Sequence, residues 1–561
     1  MLQNCKGLPL AITVLAGLLA IKDTVEEWNT VHKNVYEYIR RGTDLGPDYK
    51  GEAYEGVSWL LELSYDNLPY YLELCFLYLT HFPEDYEIPV STLTKLWMAE
   101  GFISSASAEV MEDVSYRCLS ELVGRCMVQV GKHGSSQKIK TCHLHDLMRD
   151  LCMLKAKEGN FVHIINYSVV AKIKETPNGR VRRLAIYLDK TLGKYALGKD
   201  ENYGHVRSLL YFFPGKYFKN SKVLWSLFKN FTLLRVLKFE GMYVGECKLH
   251  HEIGNLVHLR FLSVKNSAIL AVPSSIANLV CLQTLDLRVR YLGIEIPNGN
   301  VFSKMEKLRH IYLPKYHSAR KKHLLFATEA VNLHTVVNVC IQASDLDDFV
   351  KLTNLRKLGV ITFDSGLWEK EKGTNIIFKH LQSLSVDSVS EAVPWNIVLS
   401  CPNIYKLRLD GRITELPENL LCLTNLTKLT LKGINNLKDD HIKVLEKLPS
   451  LRMLFLDNWD TPVTFRGPLV CSKGGFPFLE FLSLRYFKEL KEWKVEKGAM
   501  PSLCRLHIHY CSALKAVPDG LQYITTLKEL TIKSMPSKFC RQLQEGGEDF
   551  YKIQHVQSVI I

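Results

Sequence analysis

The stretch ELPENLLCLTNLTKLTL, Glu415 to Leu431, decides the fold. Its last six residues, LTKLTL, set leucines at 426, 429 and 431, and the alternation of apolar with polar side chains is the period of a strand with one face in a core. Working outward, the L-x-x-L-x-L pattern recurs as LRVLKF from Leu234, LRFLSV from Leu259, LQTLDL from Leu282, LRHIYL from Leu308, LRKLGV from Leu355, LQSLSV from Leu381 and IYKLRL from Ile404. It returns as LRMLFL from Leu451, LEFLSL from Leu479, LCRLHI from Leu503 and LKELTI from Leu527, with weaker copies at Val181, Val206 and Leu333. Successive copies lie between 22 residues (Leu333 to Leu355) and 28 residues (Leu451 to Leu479) apart. One such unit cannot bury its own leucines, so stability must come from stacked neighbours.

That spacing falls in the range of leucine-rich repeats. It predicts a solenoid over residues 181–561, with a parallel β-sheet horseshoe whose exposed positions form the binding face. Those positions carry Arg235, Lys238, Arg260, Arg309, Tyr312, Arg356, Lys357, Lys406, Arg408, Lys428, Arg452, Phe455, Arg485, Tyr486, Arg505, His507 and His509. Any one of them reads as solvated charge; together they read as a surface for an acidic protein partner. The net charge of +13 over 561 residues points the same way, although no dense basic block occurs. A composition 47% hydrophobic and 23% charged excludes a disordered chain.

Before the repeats the period becomes helical. Leu72, Cys75, Phe76 and Leu79 sit at i, i+3, i+4 and i+7 after a turn at DNLP, and FPEDYEIP ends that run, with Ser91 as the expected N-cap of a helix leading to Trp97. The amphipathic MEDVSYRCLSELVGRCMVQV follows. GKHGSSQKIK then reads as a hairpin turn between MVQV and IKTCHLH, giving helices with a small wing. The apolar run GLPLAITVLAGLLAI, Gly7 to Ile21, is too short for a bilayer, which needs ~20 residues. It reads as an export signal or as an interior helix opened by Pro9, whose missing N–H is harmless in a first turn. Fifteen cysteines without a C-x-x-C pair are expected to be reduced thiols.

SYDNLP, CFLYLTHFPEDYEI, LTKLWMAEGFI and LHDLMRDL, preceded by GLPLAI at Gly7–Ile12, follow one another in an order that resembles the NB-ARC module of plant nucleotide-binding leucine-rich-repeat disease resistance proteins of the coiled-coil class. The irregular repeat period resembles their cytosolic array. The resemblance implies an α+β chain: a helical remnant over 1–50, a winged-helix subdomain over 51–165, a linker over 166–180 and the repeats. It implies that Pro9 packs on the adenine of ADP, and that His145, in the MHD-like Leu144-His145-Asp146, contacts the β-phosphate while Asp146 orients the motif. It also implies a pathogen effector or modified host protein as partner, contact with nucleotide-binding and coiled-coil domains, oligomerisation, and a cytoplasmic place, including the inner face of the plasma membrane. No G-x-x-x-x-G-K-[ST] loop occurs, so no appreciable ADP or ATP binding and no catalysis are expected of this chain. The motifs are read as those of a protein truncated before GLPL.

Two other readings stand beside this one. A secreted or membrane-associated repeat receptor would use residues 7–21 as its signal and the sequons at Asn166, Asn230 and Asn425 for glycans. A DNA-binding winged helix would need more than the single lysine of STLTKLWMAEGFI. Metal is expected neither at His507, His509 and Cys511, where Cys511 falls on the repeat's buried turn position, nor at Cys142–Asp146.

Overall fold

Pro9 opens the first helix, α1 (Pro9–Ala20), which buries Ala11, Val14, Leu15 and Leu18. The computed structural model describes residues 9–44, 55–103, 109–134, 138–166, 181–188, 204–213, 217–218, 231–241, 243–244, 247–289, 294–297, 301–315, 332–341, 349–363, 377–434, 439–458 and 468–561. Gly7 and Leu8 of the GLPL motif and Asn230 lie outside them. The chain divides into two units, Met1–Pro297 and Asn298–Ile561.

In the first unit, α2 (Val25–Asp44) starts with a capping box. The Thr24 hydroxyl accepts from the Glu27 N–H, and the Glu27 carboxylate accepts from the Thr24 N–H. Helix α3 (Glu55–Asp66) stops at the DNLP turn, where the Asn67 amide donates to the Leu63 carbonyl. Pro69 then caps α4 (Tyr70–Leu77), whose apolar stripe buries Leu72, Cys75 and Phe76; Leu79 falls in the tighter 3-10 turn Tyr78–His81 that continues it. Strand β1 (Ile88–Pro89) leads directly into α5 (Val90–Glu100), so the N-cap is Pro89, and Ser91 lies inside the helix. The strand decides this: Ile88 and Pro89 pair with the wing, and the Val90 N–H donates to the Lys140 carbonyl, leaving no freedom to start two residues later. Helix α6 (Met111–Gly124) is followed by the expected hairpin of β2 (Gln129–Val130) and β3 (Thr141–His143), with β3 central and antiparallel to both β1 and β2. Helix α7 (Asp146–Glu158) closes the winged helix. Trp97, Tyr78, Phe76 and Phe82 fill its core.

The repeat sheet begins earlier than the sequence indicates. Strand β4 (His163–Asn166) pairs in parallel with β5 (Arg183–Tyr187), followed by β6 (Ser208–Phe212), β7 (Val236–Phe239), β8 (Phe261–Ser263) and β9 (Thr284–Asp286). HIIN lacks the leucine pattern because its residues are only half-buried. Most of the expected linker, 167–180, lies outside the described residues. Behind the strands, short 3-10 turns such as His251–Asn255 and Ser274–Asn278 carry Ile253 and Ile276 inward.

The second unit is a parallel array of its own. Its strands are β10 (His310–Tyr312), β11 (Thr335–Cys340), β12 (Lys357–Thr362), β13 (Ser383–Ala392), β14 (Lys406–Ile413), β15 (Lys428–Ile434), β16 (Met453–Asp457), β17 (Phe481–Arg485), β18 (Arg505–His509), β19 (Glu529–Lys533) and β20 (Ser558–Ile560). Leu426, Leu429 and Leu431 are all fully buried, each gaining roughly 1.5–3 kcal/mol from leaving water.

Candidate protein-interaction face

Strand register sorts the solvent-side positions of the second unit into rows. One runs Lys406, Lys428, Met453, Phe481, Arg505, Glu529; the next runs Arg408, Thr430, Phe455, Ser483, His507, Thr531. A third runs Asp387, Asp410, Lys432, Asp457, Arg485, His509, Lys533. Side chains two residues apart share a face of a strand, so the leucines between these rows point into the core; the rows lie on the opposite face, where Phe481, Ser483, Asp457 and Thr531 are nonetheless buried among their neighbours. Arg452, Arg485 and Arg505 are exposed, and Lys406, Arg408, Lys428, Phe455, Tyr486 and His507 half-buried.

The rows differ in how far they satisfy themselves. At β13 and β14 the Lys315 ammonium reaches Asp387 at 2.7 Å and Asp410 at 3.6 Å, and Arg408 holds Asp410 at 3.0 Å. At β16–β18 the rings of Phe455 and Phe481 lie 4.9 Å apart and those of Phe481 and His507 4.8 Å apart. Lys428 stands over Phe455 at 4.6 Å and Arg505 over Phe481 at 5.3 Å, within the range of a cation–π attraction. The rings of Tyr486 and Tyr510 lie 5.4 Å apart, tilted by 35°, and both residues have positive φ. Nearer β10, Lys357 approaches the Tyr312 ring at 5.9 Å, and Arg309 Nη2 lies 3.0 Å from His334 Nε2; Arg356 is half-buried. Tyr312 is 8% exposed and belongs to the core more than to the face.

The expected face has another use in the first unit. Lys238 is 3% exposed, paired with Glu240 at 3.1 Å and placed over the Phe212 ring, so burial takes it off the solvent face. Arg235 and Arg260 donate to the carbonyls of Glu100 and Ala99, each at 3.4 Å. Those are last-turn carbonyls of α5, which lack helical partners and carry the negative end of the dipole. Arg183 holds the Glu100 carboxylate at 3.1 Å and packs on the rings of Phe161 and Phe102. Tyr78 meets the Ser208 hydroxyl at 3.0 Å, and Tyr187 donates to the Thr80 and His81 carbonyls. The winged helix is thus clamped onto the first repeat strands. The Arg183 and Glu100 roles were not read from the sequence. The signal was there in Arg182, Arg207, Arg235 and Arg260, each at the second position of its repeat. Arg207 is pulled below its ordinary value by burial and then by Arg235, Arg182 and Arg183, against Glu100.

The motif residues sit at helix starts. Pro9 is an exposed first-turn residue of α1. His145 is the N-cap of α7, its Nδ1 accepting from the Leu147 N–H at 3.3 Å; Asp146 is exposed beside it and Leu144 packs on the core. Helices α1 and α7 both pack on α3. One His145 nitrogen is committed to capping, and Pro9 offers a single apolar ring at the start of α1. His250, His251 and Glu252 bring ligand-type atoms within 4.8 Å of one another, a cluster not read from the sequence, with His250 Nδ1 engaged by the Glu252 N–H. Cys511 is buried, as its turn position requires.

The family model described as a leucine-rich repeat region matches residues 205–546, and that of the disease resistance protein winged helix domain matches residues 82–152. The chain belongs to the leucine-rich-repeat family, in the branch whose repeats follow a disease-resistance winged helix. It is 36% identical over 572 residues to Probable disease resistance RPP8-like protein 2 of Arabidopsis thaliana, covering 100% of this chain and 61% of that protein. It is 37% identical over 573 residues to Disease resistance protein RPP8 of the same plant, covering 100% of this chain and 60% of the relative. The chain therefore spans about three fifths of the length of these relatives. A solved leucine-rich-repeat protein, LIC12759 of Leptospira interrogans, is 16% identical with a TM-score of 0.36, covering 65% of this chain and 93% of that one. No helix among the described residues is long and apolar enough to cross a membrane.

Proposed function

We propose that this chain is the sensing part, with the adjoining relay, of a plant immune receptor acting in the cytoplasm. The repeat face recognises a protein, either a pathogen effector or a host protein altered by one, and the winged helix passes that event to a nucleotide switch. The observation that carries this reading is the clamp between α5 and the first repeat strands: binding on the array can reach the winged helix only through a joint of this kind, and the joint is buried and polar. The action is recognition rather than catalysis. It works as a population shift, in which a partner that binds one state better than the other moves the balance between them.

In this reading Pro9 and His145 touch nucleotide only alongside a phosphate-binding loop, and residues 1–561 alone bind neither ADP nor ATP appreciably. Expression in leaves of a full-length receptor carrying this sequence with Asp146→Val tests the switch. Cell death without any elicitor is the expected result. A silent leaf, with the protein present at wild-type level, overturns the role given to Asp146.

A further inference from the structure

We propose that the solvent side of β16–β19, around Phe455, Arg485, Arg505 and Lys533, is the docking site for an acidic segment of a protein partner that also carries an aromatic side chain. The inference rests on reading the array as the recognising part, and it names the chemistry recognised.

Charge balance marks this part of the face. Asp457 is paired with Lys432 and Arg452 with Glu480, while Glu529 lies 3.4 Å from His507 Nε2 and offsets part of the neighbouring positive charge. Among the described residues Arg485, Arg505 and Lys533 have no carboxylate at ion-pair distance, whereas at β13 and β14 Lys315 and Arg408 neutralise Asp387 and Asp410. Positive charge without a carboxylate partner among the described residues therefore stands on the solvent side of β17–β19. The two imidazoles within it register the field: burial lowers the His509 pKa, and Arg485 and Lys533 lower it further against Asp457. His507 is likewise lowered by burial and by Arg485 and Arg505, against Glu529.

Geometry selects the form of the partner. Arg485, His509 and Lys533 are register neighbours on β17, β18 and β19, so the outer two cations stand about 10 Å apart at ~4.8 Å per strand. Acidic side chains three residues apart on a polyproline-II-like segment, which share a face and rise ~3.1 Å per residue, match that span. Beside it, half-buried Phe455 and His507 flank the buried Phe481 ring, and Tyr510 is 45% exposed at the strand ends. Rings fixed before contact cost little side-chain entropy on binding. Glu480, Glu529 and Asp457 within the patch repel a uniform polyanion, which favours a mixed acidic and aromatic segment over nucleic acid.

The test is fluorescence anisotropy with the 561-residue chain and a labelled twelve-residue peptide of repeating Asp-Tyr-Glu, set against a Lys-Tyr-Lys peptide and a duplex DNA. Binding of the acidic peptide alone is expected, weakening on going from ~50 to ~200 mM salt as exposed charges are screened. Arg485→Ala with Lys533→Ala is expected to weaken it at least tenfold, and so is Phe455→Ala. Lys488→Ala with Lys491→Ala, the same charge change outside the patch, leaves it unaltered. Equal loss in both double variants reduces the effect to net charge and overturns the proposal, as does tighter binding to DNA or no binding to the acidic peptide. Arg505→Glu, an exposed reversal, supplies a second reading should the double variant melt below the parent. The leaf assay of Asp146 scores the switch independently, so either result can fail without the other.

Discussion

Glu100 and Arg183 show how much can depend on one pair of side chains. The Glu100 side chain is 1% exposed and that of Arg183 13%, so removing the cation leaves a buried carboxylate alone, a change that typically costs about 3–5 kcal/mol. Arg183→Ala is therefore expected to speed amide exchange in α5 and β5 by orders of magnitude, and Glu100→Gln in the same chain to restore part of the protection; unchanged exchange counts against the clamp. His81 gives the second prediction at this scale. It is wholly buried beside Tyr78 and Arg183, with Nδ1 2.8 Å from the Tyr78 carbonyl oxygen, and burial pulls its pKa down to about 3. The unfolded chain takes up this proton near pH 6.5 and the folded chain does not, so the stability present above that value is lost as pH falls. Between pH ~6.5 and ~4.5 the loss from this group is about 2–3 kcal/mol, and denaturant midpoints at the two pH values should show a smaller difference in His81→Gln. The long-range pairing of residue 100 with residue 183 was illegible in the sequence because nothing local encodes it, whereas the leucines were legible because their period is itself the packing.

Among elements, strands were read well and starts less well. The hairpin of β2 and β3 and the repeat strands from 181 onward appear where alternation and spacing put them. Helix α5 starts one residue before Ser91 because β1 fixes the chain ahead of it, a tertiary constraint that overrides a local cap preference. Strand β4 escaped notice because it is half-buried and lacks leucine. Each repeat strand touches mainly its neighbours, so damage should stay local. Leu429→Ala in β15 is expected to cost ~2–5 kcal/mol and to speed exchange in β14, β15 and β16. Matching loss of protection in α3–α7 would show that the array does not behave as stacked units.

At the scale of the molecule, the chemistry of the thiols separates the intracellular reading from the secreted one. Several cysteines are held as neutral thiols by burial, Cys142, Cys401 and Cys471 with pKa values pushed up to about 12. Protein isolated from leaf tissue under alkylating conditions should show all fifteen cysteines modified after denaturation; a lower count, or a mobility shift on deglycosylation, favours export. Composition and period gave the architecture of the whole chain. They could not give the face, because the same arginine position serves as clamp in early repeats and meets water in later ones, and only the fold tells them apart.

The buried pairing at α5 also bears on heat. Charged groups lose favourable hydration as temperature climbs, so the cost of keeping Glu100 and Arg183 away from water shrinks while apolar packing gains nothing comparable. In a warm leaf, the grip of the first repeats on the winged helix should be among the last contacts to fade.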